Sequence, residues 1–263
     1  MPRFYFVVSC FMIMTSVLIG VLWCIEKLRL PGRRTIGAFY FGLLSKVLRV
    51  RVRVDGAPVT DKPVLILSNH VSWLDIPVIG STMPLVFISK SEVRNWPLVG
   101  PAAQLLHTVF VDRSRRQKTA EVNARIASKM SGGDPVVLFA EGTSSDGNRV
   151  LQFRSALVGA ASDAVTQNKG DVWLQPMSIS YPRIDGLPMG RGHRPRVAWY
   201  GDMDFVPHLK DYVLHGGIDA IVTFGEPIAF DGGDRKNMVK SIESTVRRMR
   251  IEALRGDFPP KVA

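Results

Sequence analysis

Residues 4–25 read FYFVVSCFMIMTSVLIGVLWCI, 22 positions without a charge. As a helix rising 1.5 Å per residue they cover about 33 Å, enough for a hydrocarbon core of roughly 30 Å. The run is too long for a secretory signal, its leading basic region is only Arg3 and the amino terminus, and no A-x-A site follows. It predicts an uncleaved membrane anchor over 1–30. Pro31-Gly32 then breaks the chain. The stretch TIGAFYFGLLSKVL, 35–48, is apolar on most of its circumference, as either a core helix or an interfacial helix is.

Polar and apolar positions alternate in VRVRVDG, 50–56, which predicts an edge strand with one wet face. Short apolar runs follow at 64–68, 85–89, 108–111, 136–139, 173–180, 197–200 and 220–224, and most do not alternate. Helix-compatible stretches separate several of them, notably 118–130, 155–167 and 237–254. Uninterrupted apolar strands between helices predict an α/β fold whose sheet is covered on both faces. With no internal repeat and no linker after residue 35, residues 31–263 read as one domain.

Composition narrows this picture. At 46% hydrophobic and 22% charged residues, disorder is excluded. Cys10 and Cys24 both lie in the first apolar run, so there is no disulfide scaffold. The net charge of +11 is concentrated: residues 1–60 carry +7, residues 234–255 carry +4, and the remainder balances. Charge beside an apolar segment and in one late helix favours an anionic membrane surface over nucleic acid. Lys27, Arg29, Arg33 and Arg34 follow the anchor while Arg3 precedes it, which predicts a cytoplasmic body.

Two segments carry candidate chemistry. The first is Ser68-Asn69-His70-Val71-Ser72-Trp73-Leu74-Asp75, directly after an apolar strand. Ligands of α/β proteins gather at the carboxyl ends of strands, and an imidazole suits general-base work there. On a regular helix His70 and Asp75 would stand about 140° apart, so they meet only if a turn or helix start intervenes. Pro77 fits such a start. The same letters also read as a Ser72-x-x-Asp75 capping box. The second segment, Phe139-Ala-Glu141-Gly142-Thr143-Ser144-Ser145-Asp146-Gly147, again follows an apolar strand. Its small residues expose backbone N–H groups able to cradle an oxyanion or a head group. It is one residue too long for the G-x-S-x-G elbow of serine hydrolases, where Ser144 or Ser145 would be the nucleophile.

Taken together, the segments resemble the PlsC-type lysophospholipid acyltransferases, which include the 1-acylglycerol-3-phosphate acyltransferases. His70 and Asp75 match the H-x4-D block; Lys90-x-Glu92, Pro97, Gly100 and VFVDR ending at Arg113 match the second. Phe139-x-Glu141-Gly142-Thr143 matches the third and LQPM, 174–177, the fourth, so the similarity covers about 45–230. The resemblance implies a mixed central sheet flanked by helices. It also implies fatty-acyl transfer from acyl carrier protein or coenzyme A to a lysolipid hydroxyl, without cofactor or metal. His70 would be general base and Asp75 its orienting partner. Asn69, Lys90, Arg113, Glu141, Gly142, Thr143 and Ser144 would contact substrate. The family's third block usually continues with an arginine that helps hold the acceptor's phosphate, and here that position is Ser144. Around 145–155, 190–195 and 199–204 the text is similar to a bacterial branch that acylates lyso-ornithine lipid, whose head group has no phosphate. The implied location is the cytoplasmic face of a bacterial inner membrane.

Other polar residues read more plainly. His193 lies in an Arg-, Gly- and Pro-rich loop and reads as solvated. Asp202, Asp204, His208 and His215 match no standard metal-ligand spacing, and Asp202 or Asp204 would suit a head-group amine. Arg247, Arg248 and Arg250 sit on a late amphipathic helix, facing lipid phosphates, an acidic carrier protein or plain solvent.

Overall fold

The computed structural model describes residues 1–112, 119–167 and 172–256. The chain begins with helices α1 (Pro2–Lys27) and α2 (Arg33–Val47), then strands β1 (Val50–Asp55) and β2 (Val64–Ser68). Next come α3 (Asp75–Gly80), β3 (Val86–Lys90), α4 (Val99–Leu105), β4 (Val109–Val111), α5 (Thr119–Ser131) and β5 (Val136–Phe139). α6 (Gly159–Gln167), β6 (Trp173–Ile184), β7 (Leu187–Pro188) and α7 (Phe205–His215) follow. The last elements are β8 (Ile218–Phe224), β9 (Ile228–Ala229) and α8 (Arg235–Arg255).

The strands order as β1-β8-β6-β2-β5-β3-β4, with β7 and β9 added along β6. Neighbours on the main path are parallel except β6 and β8, so the sheet is mixed. β1, with its alternating basic residues, is an edge strand as its pattern predicts. Along β2, successive side chains point to opposite faces, yet every position is buried. Ile66, Val137 and Ile179 join a core with Leu22 of α1, Leu44 of α2, Val78 of α3 and Tyr212 of α7. Leu65, Val136 and Leu174 join another with Ile126 of α5, Ala161 of α6 and Ile242 of α8. Helices therefore cover both faces, which is why the strands are apolar without alternation. Each such Leu or Ile contributes roughly 1.5–3 kcal/mol of burial.

α1 is long and apolar enough to cross a membrane, but it is not a detached span. Leu18, Leu22 and Ile25 pack inward, Thr15 Oγ1 lies 2.7 Å from the Tyr40 hydroxyl, and Arg3 donates to the Gly216 carbonyl at 3.0 Å. The helix is docked on the body along its length, while Tyr5, Phe6, Ile13 and Val17 are exposed on its outer side.

Two further expectations are corrected, and one falls partly outside the described residues. Residues 197–200 form no strand; buried Val197 and Ala198 follow a 3-10 turn (Arg191–Arg196), and the Trp199 N–H donates to the Val71 carbonyl at 3.0 Å. Apolar character there comes from packing on the loop after β2. The helix read at 155–167 begins as a 3-10 turn, Ser155–Val158, before α6. Lys118, where the helix read at 118–130 was to begin, lies outside the described residues.

Gly56 ends β1 with φ +75°, and a Cβ there would run into the carbonyl oxygen of Phe224 at the end of β8. The left-handed backbone and the clash act together. Gly56→Ala is expected to destabilise the detergent-solubilised protein by at least about 2 kcal/mol. Thermal unfolding with an unchanged midpoint would contradict that.

Candidate active site

Parallel β2, β5 and β3 end at one edge of the sheet. Ser68 is level with Phe139 of β5 and Met177 of β6, and β3 finishes beside them at exposed Lys90. The chain leaving β2 is tied into this edge by its backbone. Ala140 N–H donates to Ser68 O at 3.0 Å, Ser145 N–H to His70 O at 2.9 Å, and Trp199 N–H to Val71 O at 3.0 Å. Loops from three parts of the chain thus converge on His70.

The turn required between His70 and Asp75 is present. Ser72–Leu74 form a turn in which Asp75 N–H donates to Ser72 O, and α3 starts at Asp75 with Pro77 in its first turn. Asp75 Oδ2 accepts from His70 Nδ1 at 2.7 Å, from Val71 N–H at 2.7 Å and from Ser72 N–H at 3.0 Å. Its Oδ1 accepts from the Tyr181 hydroxyl at 2.6 Å. The carboxylate thus orients the histidine and closes the turn on the Ser72 amide with one oxygen, whereas the buried Ser72 hydroxyl has no partner and Leu74 is the N-cap, so only the Asp75 half of the capping box is present. Asp75 is fully buried, with donors on both oxygens. A buried, fully hydrogen-bonded carboxylate is an acceptor, so the Nδ1 of His70 carries the proton and Nε2 presents a lone pair. The ring is stacked on Phe139 with centroids 3.9 Å apart, and the side chain keeps 21% of its surface exposed. Burial at Nδ1 with access elsewhere is what a general base needs.

The remaining expected residues divide. Glu141 is buried; its Oε1 accepts from Leu151 N–H at 3.1 Å and its Oε2 has no partner. Burial pushes its carboxyl up to about 8, against the pull of the Leu151 and His70 amides and the Arg250 charge. Gly142 turns the chain with φ +74°, where Arg154 and Leu157 leave a Cβ only 3.3 Å. Thr143 is exposed and Ser144 half-buried at the mouth of this loop. Asn69 is committed elsewhere: its amide donates to Ile179 O at 3.0 Å and accepts from Ile179 N–H at 2.9 Å, latching β2 to β6. Arg113 lies outside the described residues.

Some neighbours had no signal in the pattern. Tyr181 stands 106 positions from Asp75 and reaches it only through the fold. Arg250 is not on a solvated face: it is buried and donates to Gly147 O, with Arg194 donating to the same oxygen at 3.2 Å. Burial, with Arg194 close by, pulls the Arg250 guanidinium down to about 10. His208 is buried between Trp73 Nε1 at 3.0 Å and the Ala198 carbonyl at 3.0 Å. His193 is exposed, and Arg247 pairs with Glu243 at 2.8 Å.

Comparison with known proteins gives the family. The family model described as Acyltransferase matches residues 49–180. The chain is 41% identical over 261 residues to a lyso-ornithine lipid O-acyltransferase of Brucella abortus (strain 2308), with 98% of each chain covered. It is 37% identical over 111 residues to a 1-acyl-sn-glycerol-3-phosphate acyltransferase of Neisseria gonorrhoeae, covering 41% of this chain and 44% of that one. The crystal structure of the 1-acyl-sn-glycerophosphate acyltransferase PlsC from Thermotoga maritima superposes with a TM-score of 0.66 over 98% of this chain and 95% of that one. At 23% identity that last likeness speaks for the fold. A full-length relative and a family model over half the residues agree with the mixed sheet and its loaded edge: this enzyme belongs to the acyltransferase family.

Proposed function

We propose that the enzyme moves a fatty acyl group from an acyl carrier protein or coenzyme A thioester to the hydroxyl of a lysolipid, most specifically lyso-ornithine lipid. The observation that carries this reading is the His70 ring, held through Nδ1 by a buried carboxylate with Nε2 left as base. Nε2 takes the proton of the acceptor hydroxyl as that oxygen attacks the thioester carbonyl carbon. The tetrahedral intermediate collapses with cleavage of the C–S bond, and the imidazolium returns its proton to the departing sulfur. Asp75 offsets the imidazolium charge. No acyl-enzyme is formed, so Ser144 and Ser145 need not be nucleophiles. The Gly142 N–H is spent on the Phe139 carbonyl at 3.0 Å, so an oxyanion donor from this loop would have to be another of its amides. The site lies on the same face of the sheet as α1 and α2, whose exposed apolar side chains would enter the cytoplasmic leaflet of a bacterial inner membrane.

Two features support the acceptor. The full-length relative carries the lyso-ornithine lipid name, and Ser144 stands where the family's phosphate-holding arginine would. A hydroxyl cannot replace a bidentate guanidinium on a phosphate dianion. The test offers lyso-ornithine lipid and lysophosphatidic acid together in mixed micelles with acyl carrier protein thioester, and reads products by mass spectrometry. The acylated aminolipid is the expected product; dominant phosphatidic acid would assign the acceptor to the phosphate class, with Lys90 sufficient for the anion. In the same assay Ser144→Arg should move the acceptor ratio toward lysophosphatidic acid by about tenfold, one charge-assisted contact's worth. An unmoved ratio would detach position 144 from acceptor choice.

A further inference from the structure

We infer that Tyr181 is a positioning residue for the His70–Asp75 pair: its hydroxyl holds the second oxygen of the Asp75 carboxylate so that the first stays aimed at the imidazole. This rests on the acyl-transfer reading above and assigns a further residue to it.

The geometry of the carboxylate makes the case. All three donors to Oδ2 come from residues 70–72, while Oδ1 has Tyr181, from a different part of the chain, at 2.6 Å. Turning about the Cβ–Cγ bond moves both oxygens together, so the Tyr181 bond on Oδ1 adds a tie from outside the 70–72 turn that resists any such rotation. The strand is built to supply that tie. β6 is level with the end of β2 at Met177 and runs on past it, which carries Tyr181 to the height of the 70–75 turn. The register of β6 against β8 shifts between Ser180 and Arg183, a local irregularity of the kind that re-aims side chains beside active sites. Asn69 latches the β2 end to Ile179, two residues away, so strand and turn are held together.

The surroundings keep the hydroxyl a donor. Tyr181 is buried, and burial and the Asp75 charge hold its phenol well above the ordinary range. The charged and titratable neighbours of the pair are Glu141, with its carboxyl near 8, Tyr212, which donates to Leu48 O at 2.9 Å, and Arg194 and Arg250, which share a small cavity with Tyr181. Asp75 is the group within hydrogen-bond reach of the Tyr181 hydroxyl in the described structure.

Tyr181→Phe removes one hydroxyl and keeps the ring. Expected is a kcat about tenfold lower with KM for thioester and lysolipid within about twofold of wild type, since a hydrogen bond to a charged group is lost away from substrate. The acid limb of the rate profile should move up by about half a pH unit, because a carboxylate with fewer donors holds an imidazolium more strongly. An imidazole limb is separated from the Glu141 carboxyl by its larger heat of ionisation, read from the same profile at two temperatures. A mere packing role would move neither kcat nor the limb. In an Asp75→Ala background the Phe substitution should cost less than about twofold, because the group it acts through is gone. A Tyr181→Phe profile that overlays wild type, or a full tenfold loss that persists in the Asp75→Ala background, overturns the inference. His70→Ala keeps the two levels apart. If that variant is active, the acyl-transfer reading falls and takes this one with it; if it is inactive while Tyr181→Phe behaves as wild type, only the role of Tyr181 is lost.

Discussion

His70→Ala is expected to lower kcat by about 10³-fold or more, with little change in KM for either substrate. A positioned base contributes roughly 10²–10⁴-fold, and the upper part of that range applies where the nucleophile is an alcohol that scarcely ionises in water. Without Nε2 the hydroxyl must lose its proton to solvent. The fold should survive. Asp75 keeps the Val71 and Ser72 amides and the Tyr181 hydroxyl, and the lost ring is partly exposed where it covers Phe139. Removing it leaves a notch open to solvent rather than a sealed cavity. The check is the competition assay run beside a thermal unfolding curve: a stable, inactive variant fits base catalysis. A stable variant with wild-type turnover would sink it, and with it any reading in which the H-x4-D pair does chemistry.

What could be read in advance followed local rules. Strands buried on both faces are visible as unbroken apolar runs, and His70 and Asp75 are visible because a turn joins residues five apart. Neither periodicity nor spacing reports a contact such as Tyr181 to Asp75, which depends on where β6 overruns β2. Arg250 misleads for a related reason. Beside Arg247 and Arg248 it looks like one of three solvated charges, yet the helix rotates it inward to the carbonyl of Gly147. Residues 197–200 look like a strand because Val197 and Ala198 are buried, but the partner is the His70 loop rather than a sheet edge. Asn69, next to the base, reads as a substrate contact until its amide is seen bonded to Ile179 at both ends. In each case the long-range partner decides the role.

Asp75→Asn should cost kcat about 10²–10³-fold, and its mode of failure follows from which oxygen does what. Oδ2 faces three donors, so the carbonyl of an asparagine belongs there and its NH₂ turns toward Tyr181, whose hydroxyl can rotate to accept. Every hydrogen bond is then satisfied and Nδ1 still donates, so the histidine tautomer and the fold are kept. What disappears is the negative charge that stabilises the imidazolium as the proton is taken up. The acid limb of the rate profile should therefore move to lower pH, opposite in sign to the shift expected for Tyr181→Phe. The two substitutions flank one carboxylate: one removes its charge and the other removes a donor that tempers it. A pH profile of each, taken with saturating thioester, reads both signs. Limbs that move the same way, or an Asp75→Asn enzyme that turns over like wild type, would show that Asp75 serves only to cap the turn at the start of α3.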